Sequence, residues 1–356
     1  MKVETKFYAG IAWWALFLIA ACSGKQPVMT AEALPGGQYV ICESGNPVLQ
    51  YNYFTVYEQD VVRPESQKDL KIEYYTINGG VYLDEYYKAN PGVERTGKAT
   101  SAIYAIPRSD YIHPLYGLNG EILTNDWPDA DHAHHRGIFF GWPEVMYYSK
   151  LGDLYALQRV FARPTGNIRC TGGKDFAEIE AENRWMWNDR EAIVHEISTI
   201  RAYSASGGER IIDLTLTLQA LMDSITIATR FTNSYGGLNV RMATPQSQDI
   251  ATHSDPVTSS PQRSWATFNG IFEGNTVSSG MTILQHRDNP EYPGKWVDYP
   301  NLSWVQPTFP TPNTRYLLDK SKPLVLRYRL IVHQGAKPGD ETLSKQWDNY
   351  HKIVLP

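Results

Sequence analysis

Three stretches of this chain read as alternating polar and apolar side chains: Glu178-Ile179-Glu180-Ala181-Glu182, Asp213-Leu214-Thr215-Leu216-Thr217-Leu218 and Arg327-Tyr328-Arg329-Leu330-Ile331-Val332. A period of two sends one set of side chains to a core and the other to water, the signature of half-buried antiparallel strands. β-branched and aromatic runs bounded by Gly, Pro, Asn and Asp recur elsewhere. They predict strands over Gln38–Cys42, Leu49–Val56, Lys71–Ile77, Ser101–Ile106, Gly137–Trp142, Tyr155–Ala162, Phe176–Trp187, Ala192–Tyr203, Asn239–Ala243, Met281–Gln285 and Leu324–His333. The turn at Ala220–Ser224 predicts a hairpin of Ile211–Leu221 with Ser224–Thr232. Only one helix is expected. Leu343, Trp347, Tyr350 and Val354 form an apolar stripe at the C-terminus, with Asp340 a candidate N-cap. The chain therefore reads as mainly β, a large antiparallel sandwich with a short C-terminal helix.

The first 21 residues read as an export signal. Lys2 and Lys6 precede an apolar run over Tyr8–Ala21. That run is about 14 residues long, short of the roughly 20 a membrane helix needs. It ends in Ile19-Ala20-Ala21-Cys22, which resembles a lipobox and makes Cys22 the expected lipidation site. An ordinary secretory signal with an incidental Cys is the alternative. Ser23 follows where an Asp would signal inner-membrane retention. The expected address is the outer membrane of a Gram-negative bacterium, on its periplasmic face. Residues 22–36 read as a tether and 37–356 as a single domain, with a possible N-terminal β-subdomain over 37–105. Cys42 and Cys170 can pair in an oxidising compartment, but are too few for a zinc site of cysteines. A formal charge of −5 without a basic stripe argues against nucleic acid as a partner. Nothing in the pattern fixes the oligomeric state.

Chemistry concentrates around Asp131-His132-Ala133-His134-His135-Arg136-Gly137, which runs into the apolar segment Ile138-Phe139-Phe140-Gly141-Trp142. Upstream lies Tyr111-Ile112-His113-Pro114-Leu115. Histidine moves protons near neutral pH, and arginine stabilises developing negative charge. His134, His135, Arg136, His113 and Tyr111 are therefore candidate catalytic residues. Arg241, beyond the Gly236-Gly237 pair, is a further one. His132 and His134 share strand parity and could ligate a divalent metal, although the chemistry requires no cofactor. Asp131, His286, Arg287, Asp288, Trp296 and Trp304 are candidate sugar-binding residues, because aromatic faces stack on sugar C–H faces and polar groups bond the hydroxyls. Each also has a plain reading: a hydrogen-bonded loop, a β-turn with a surface Arg, or a packed irregular loop. No nucleophile elbow, Walker A loop or dinucleotide fingerprint is present.

The Asp131–Gly137 block is similar to an Asp-His-Pro-His-His-Arg-Gly hallmark. Tyr111–Leu115, Gly236–Arg241, Leu284–Pro293 and Leu326–Gly335 resemble further blocks of the same family, a bacterial domain of unknown function carrying the label "methane oxygenase PmoA". The resemblance covers most of residues 45–351. It implies a β-sandwich related to galactose-mutarotase-like supersandwiches and a setting among sugar-catabolic proteins. The chemistry in the label does not follow, since a methane oxygenase subunit crosses the membrane several times and this chain has one apolar run. Asn233-Ser234-Tyr235 stands where many members carry an acid before the glycine pair. The expected function is that of an exported carbohydrate-active protein acting on an oligosaccharide or modified sugar. The favoured chemistry is proton transfer at a sugar carbon: β-elimination, epimerisation or cleavage of an oxidised glycoside. A non-catalytic carbohydrate-binding lipoprotein and a His-ligated metalloprotein are the alternatives.

Overall fold

A computed structural model describes residues 28–57, 60–63, 65–67, 76–78, 101–103, 107–126 and 134–352. Two eight-stranded antiparallel sheets face each other. The long sheet is ordered Val160–Thr171, Phe176–Trp187, Glu191–Tyr203, Glu209–Ala220, Leu324–Gln334, Ser279–Gln285, Ser264–Ile271, Gln246–Ser254. All three alternating stretches lie in it. The second sheet is ordered Met29–Ala33, Tyr39–Glu43, Asn46–Asn52, Tyr111–Leu115, Ile138–Gly141, Gly237–Arg241, Trp304–Pro307, Trp296–Tyr299. Ile41, Leu49, Ile138, Leu238, Val240 and Val305 of this sheet share one core with Ile179, Val194, Leu216, Leu326 and Leu330 of the long sheet. The fold is thus the sandwich that the alternation predicts, since each sheet buries one face against the other.

The expected hairpin does not form. Glu209–Ala220 pairs with Glu191–Tyr203 on one side and Leu324–Gln334 on the other. With both edges taken, the chain leaves the sheet. Thr226–Ala228 instead pairs with Glu144–Tyr147 and Tyr316–Leu317 in a small third sheet. Turn residues mark where a strand ends; they do not choose its next partner.

Residues 22–36 were expected to be a tether, yet Met29–Ala33 is a strand paired with Tyr39–Glu43. Met29 is fully buried and its backbone bonds Gly173. The folded region thus begins before residue 37. Cys42 and Cys170 are both half-buried thiols, not a disulfide. Cys22, the signal segment and most of Lys71–Ile77 lie outside the described residues. The helix Asp340–Tyr350 buries Leu343, Trp347 and Tyr350 against Trp265, Leu284 and Ile331. Its N-cap is Gly339, and Asp340 occupies the first turn, where its charge complements the helix dipole. Among the described residues, no helix is long and apolar enough to cross a membrane.

Candidate functional site

The outer face of the second sheet carries the candidate chemistry. Ile112 pairs with Ile138 and both enter the core, so Tyr111, His113 and Phe139 point the other way. Across the sheet, Asn239 pairs with Phe139 and Arg241 with Trp304. Gly137, at φ 54, supplies the left-handed turn that brings His134, His135 and Arg136 over this face. A Cβ there would lie 2.1 Å from the Ile112 carbonyl, so only glycine fits.

His135 stands at the centre. Its ring stacks on Trp304, with centroids 5.9 Å apart, and meets His134 edge-on at 4.5 Å. Tyr155 closes a third side, 5.6 Å from His134 and 5.8 Å from His135. Tyr235 bridges Tyr155 and Trp304, and Tyr299 stacks on Trp304 from the neighbouring strand. Arg241 Nη1 donates to His135 Nδ1 at 3.3 Å. A guanidinium only donates, so Nδ1 accepts, and the neutral ring then carries its proton on Nε2. Arg241 is fixed through its backbone, its N–H donating to Gly137 and its carbonyl accepting from Asn125.

Arg136 and Tyr111 belong to a closed buried network. Arg136 Nε donates to Asp126, and its Nη2 donates to Asp126 Oδ2 at 3.2 Å and to Tyr111 Oη at 2.7 Å. Tyr111 Oη donates onward to Asp126 Oδ2 at 2.9 Å. All three side chains are about 99% buried, and burial holds the Tyr111 phenol well above its ordinary pKa. Through these bonds the triad ties the loop to the Tyr111–Leu115 strand.

His113 is likewise committed. Nε2 lies 2.7 Å from the Val62 carbonyl and Nδ1 3.0 Å from Thr124 Oγ1. The carbonyl requires a proton on Nε2, so Thr124 donates to Nδ1 while accepting from Leu115 N–H. Burial lowers the His113 pKa, in keeping with a neutral ring.

The 284–293 segment lies elsewhere, under the C-terminal helix. His286 packs against Tyr350 and His351, and its Nδ1 accepts from Asp288 N–H. His351 accepts from Arg287 N–H and donates to the Trp347 carbonyl. Arg287 and Asp288 are thus turn residues of a helix clamp, and burial lowers the pKa of His286 and His351 to about 4. Trp296 turns toward the core and donates to Ser264 Oγ at 2.8 Å. Of the sugar-binding candidates, only Trp304 reaches the histidines; Asp131 lies outside the described residues. So does His132, and among the described residues no group of three or more His, Cys, Asp or Glu is placed to hold a metal ion.

Sequence reasoning missed Asp126, Tyr155, Tyr235, Asn239 and Gln306. Strand parity could have found two of them, since Asn239 is two residues from Arg241 and Gln306 two from Trp304. Tyr155 and Tyr235 arrive on loops, which parity does not reach. Tyr155 is held by Arg108, whose Nη1 donates to the Tyr155 carbonyl and Nη2 to that of Leu154, both at 2.8 Å. The Tyr235 loop is pinned where Arg230 Nη1 donates to buried Asp153 at 3.2 Å.

This β-sandwich with its His-Arg loop belongs to DUF6807, a family of unknown function, whose model matches residues 97–348. No curated protein and no solved structure matches the chain.

Proposed function

We propose that the protein is a carbohydrate-active enzyme that moves a proton at a sugar carbon, with His135 and His134 as the acid–base pair. One observation carries this reading: two adjacent histidines sit within an aromatic box of Tyr155, Tyr235 and Trp304, and Arg241 donates to His135 Nδ1. Aromatic walls suit the C–H faces of a sugar. With Nδ1 accepting from Arg241, His135 carries its proton on Nε2, the kind of donor that an enolate-like or leaving-group oxygen needs. His134 then takes the proton from carbon. Arg241 steadies the His135 tautomer, and the Tyr111–Asp126–Arg136 triad positions the loop. Epimerisation, β-elimination and cleavage of a keto-glycoside share this proton abstraction. The setting is an exported lipoprotein anchored through Cys22, a reading supported by the Ile19–Cys22 motif.

A proton NMR time course tests it. The protein is mixed with disaccharides, uronides and their 3-keto forms. New anomeric or vinylic signals, lost in His134→Ala and His135→Ala, support the enzyme. Saturable line broadening without new signals replaces it with a sugar-binding lipoprotein. Normal turnover by both variants removes the histidines from the mechanism.

A further inference from the structure

We propose that Asn239, Gln306 and the Trp304 indole form a hydrogen-bonding subsite, contiguous with His135 and Arg241, that takes the hydroxyl groups of a neutral sugar. The inference rests on the carbohydrate reading above and narrows its substrate class.

Strand register places these residues together. Arg241 faces Trp304 and Val240 faces Val305 in the antiparallel pair, and Gly237 bridges Thr308. Asn239 therefore stands opposite Gln306, on the face that carries Arg241 and Trp304. Asn239 and Gln306 are 0% exposed. Asn239 Nδ2 donates to the Gly237 carbonyl at 2.8 Å. By contrast, Asn239 Oδ1, both amide atoms of Gln306, Trp304 Nε1 and Thr308 Oγ1 have no hydrogen-bond partner among the described residues.

Buried polar atoms without partners are costly, about 1–3 kcal/mol each, and native proteins keep them few. Five in one patch beside a site of acid–base chemistry mark a surface built for a polar occupant. Its chemistry is mixed. The two amide oxygens only accept, the amide and indole N–H groups only donate, and the Thr308 hydroxyl does both. An anionic carboxylate or phosphate satisfies the donors and leaves both oxygens stranded. Adjacent sugar hydroxyls donate and accept at once, and so satisfy the whole row. The row is closed to solvent, so a ligand reaches it only when the surrounding packing opens.

The experiment measures binding by calorimetry to four neutral disaccharides (cellobiose, lactose, melibiose and trehalose) and to galacturonate. The full chain is compared with Gln306→Met and Asn239→Leu. The parent is expected to bind a neutral disaccharide more tightly than galacturonate, and each variant to weaken that binding by roughly 10-fold or more. The melting temperature of Gln306→Met is expected to hold or rise, because an orphaned amide is removed, while Asn239→Leu also gives up the bond to the Gly237 carbonyl. Deoxy analogues of the bound sugar guard against a folding artefact. Loss of the contacted hydroxyl should cost the parent roughly 10-fold and the variant almost nothing, a coupling that misfolding does not produce. Variant affinity within about twofold of the parent, with a lowered melting temperature, marks a structural water site; the subsite is overturned and the carbohydrate reading stands. Preference for galacturonate overturns the neutral class. A parent that binds none of the five sugars overturns both.

Discussion

Arg136, a candidate catalytic side chain, holds a buried ion pair that itself bears on stability. Its guanidinium is about 99% buried with Asp126 as ionic partner, so removing it strands a buried carboxylate. Arg136→Met is expected to destabilise the protein by about 3–5 kcal/mol, read by urea denaturation. Tyr111→Phe removes a hydroxyl that both accepts and donates, and is expected to cost about 1–3 kcal/mol while leaving sugar turnover within a few-fold of the parent. A collapse of turnover in a folded Tyr111→Phe protein would return the phenol to the mechanism. The sequence located this cluster but could not rank its members. A His or Arg beside an Asp has the same spelling whether it faces a ligand or a hydrogen bond. His113 is fixed by Val62 and Thr124, fifty-one and eleven residues away in the chain, and its neighbours in the sequence do not show this.

At the scale of elements, legibility followed burial. Phe176–Trp187 alternates because one face is half-exposed, and its predicted bounds match the structure. Tyr111–Leu115 and Trp304–Pro307 are buried on both faces, so no period of two survives to announce them. These two strands under the loop go unannounced, whereas their neighbours Ile138–Gly141 and Gly237–Arg241 are legible from the predicted runs Gly137–Trp142 and Asn239–Ala243. The C-terminal helix is readable from its stripe, whereas the spelling of residues 284–293 fits a sugar loop and a helix clamp alike. Aromatic and polar residues serve both purposes, and only the helix packing decides. Trp347→Ala is expected to cost about 3–5 kcal/mol by emptying the fully buried space between helix and sheet. His286→Ala should loosen the same helix yet leave sugar affinity unchanged, and a weakened affinity in a variant of parental fold would restore the loop to the site.

The whole molecule stores its titratable groups in opposing senses, and this shapes its stability against pH. Burial lowers His286, His333 and His351 to about 4. Between that value and the ordinary 6.5, the unfolded chain binds the protons that the folded one refuses. Their contribution is complete above pH 6.5 and is lost as pH falls toward 4. Two acids behave in reverse. Burial raises Asp153 to about 7. Burial, and then its neighbour Asp110, holds Glu196 well above the carboxylate range, deep between the sheets where Trp185, Ser198 and Asn183 also bond it. Both stay protonated when folded and ionise when unfolded, so their contribution is complete below about pH 4 and declines as pH rises toward their folded values. Above pH 6.5 the histidines have nothing further to add while the raised acids, Asp153 at about 7 among them, continue to lose. A melting temperature that climbs from pH 4, crests near pH 6–7 and declines on the alkaline side is the expected profile. Glu196→Gln keeps the shape and the hydrogen-bonding capacity without a proton to lose, so it should steepen the climb from pH 4 and flatten the alkaline limb. Scanning calorimetry of parent and variant from pH 4 to 9 decides it, and parallel alkaline declines would remove Glu196 as their source.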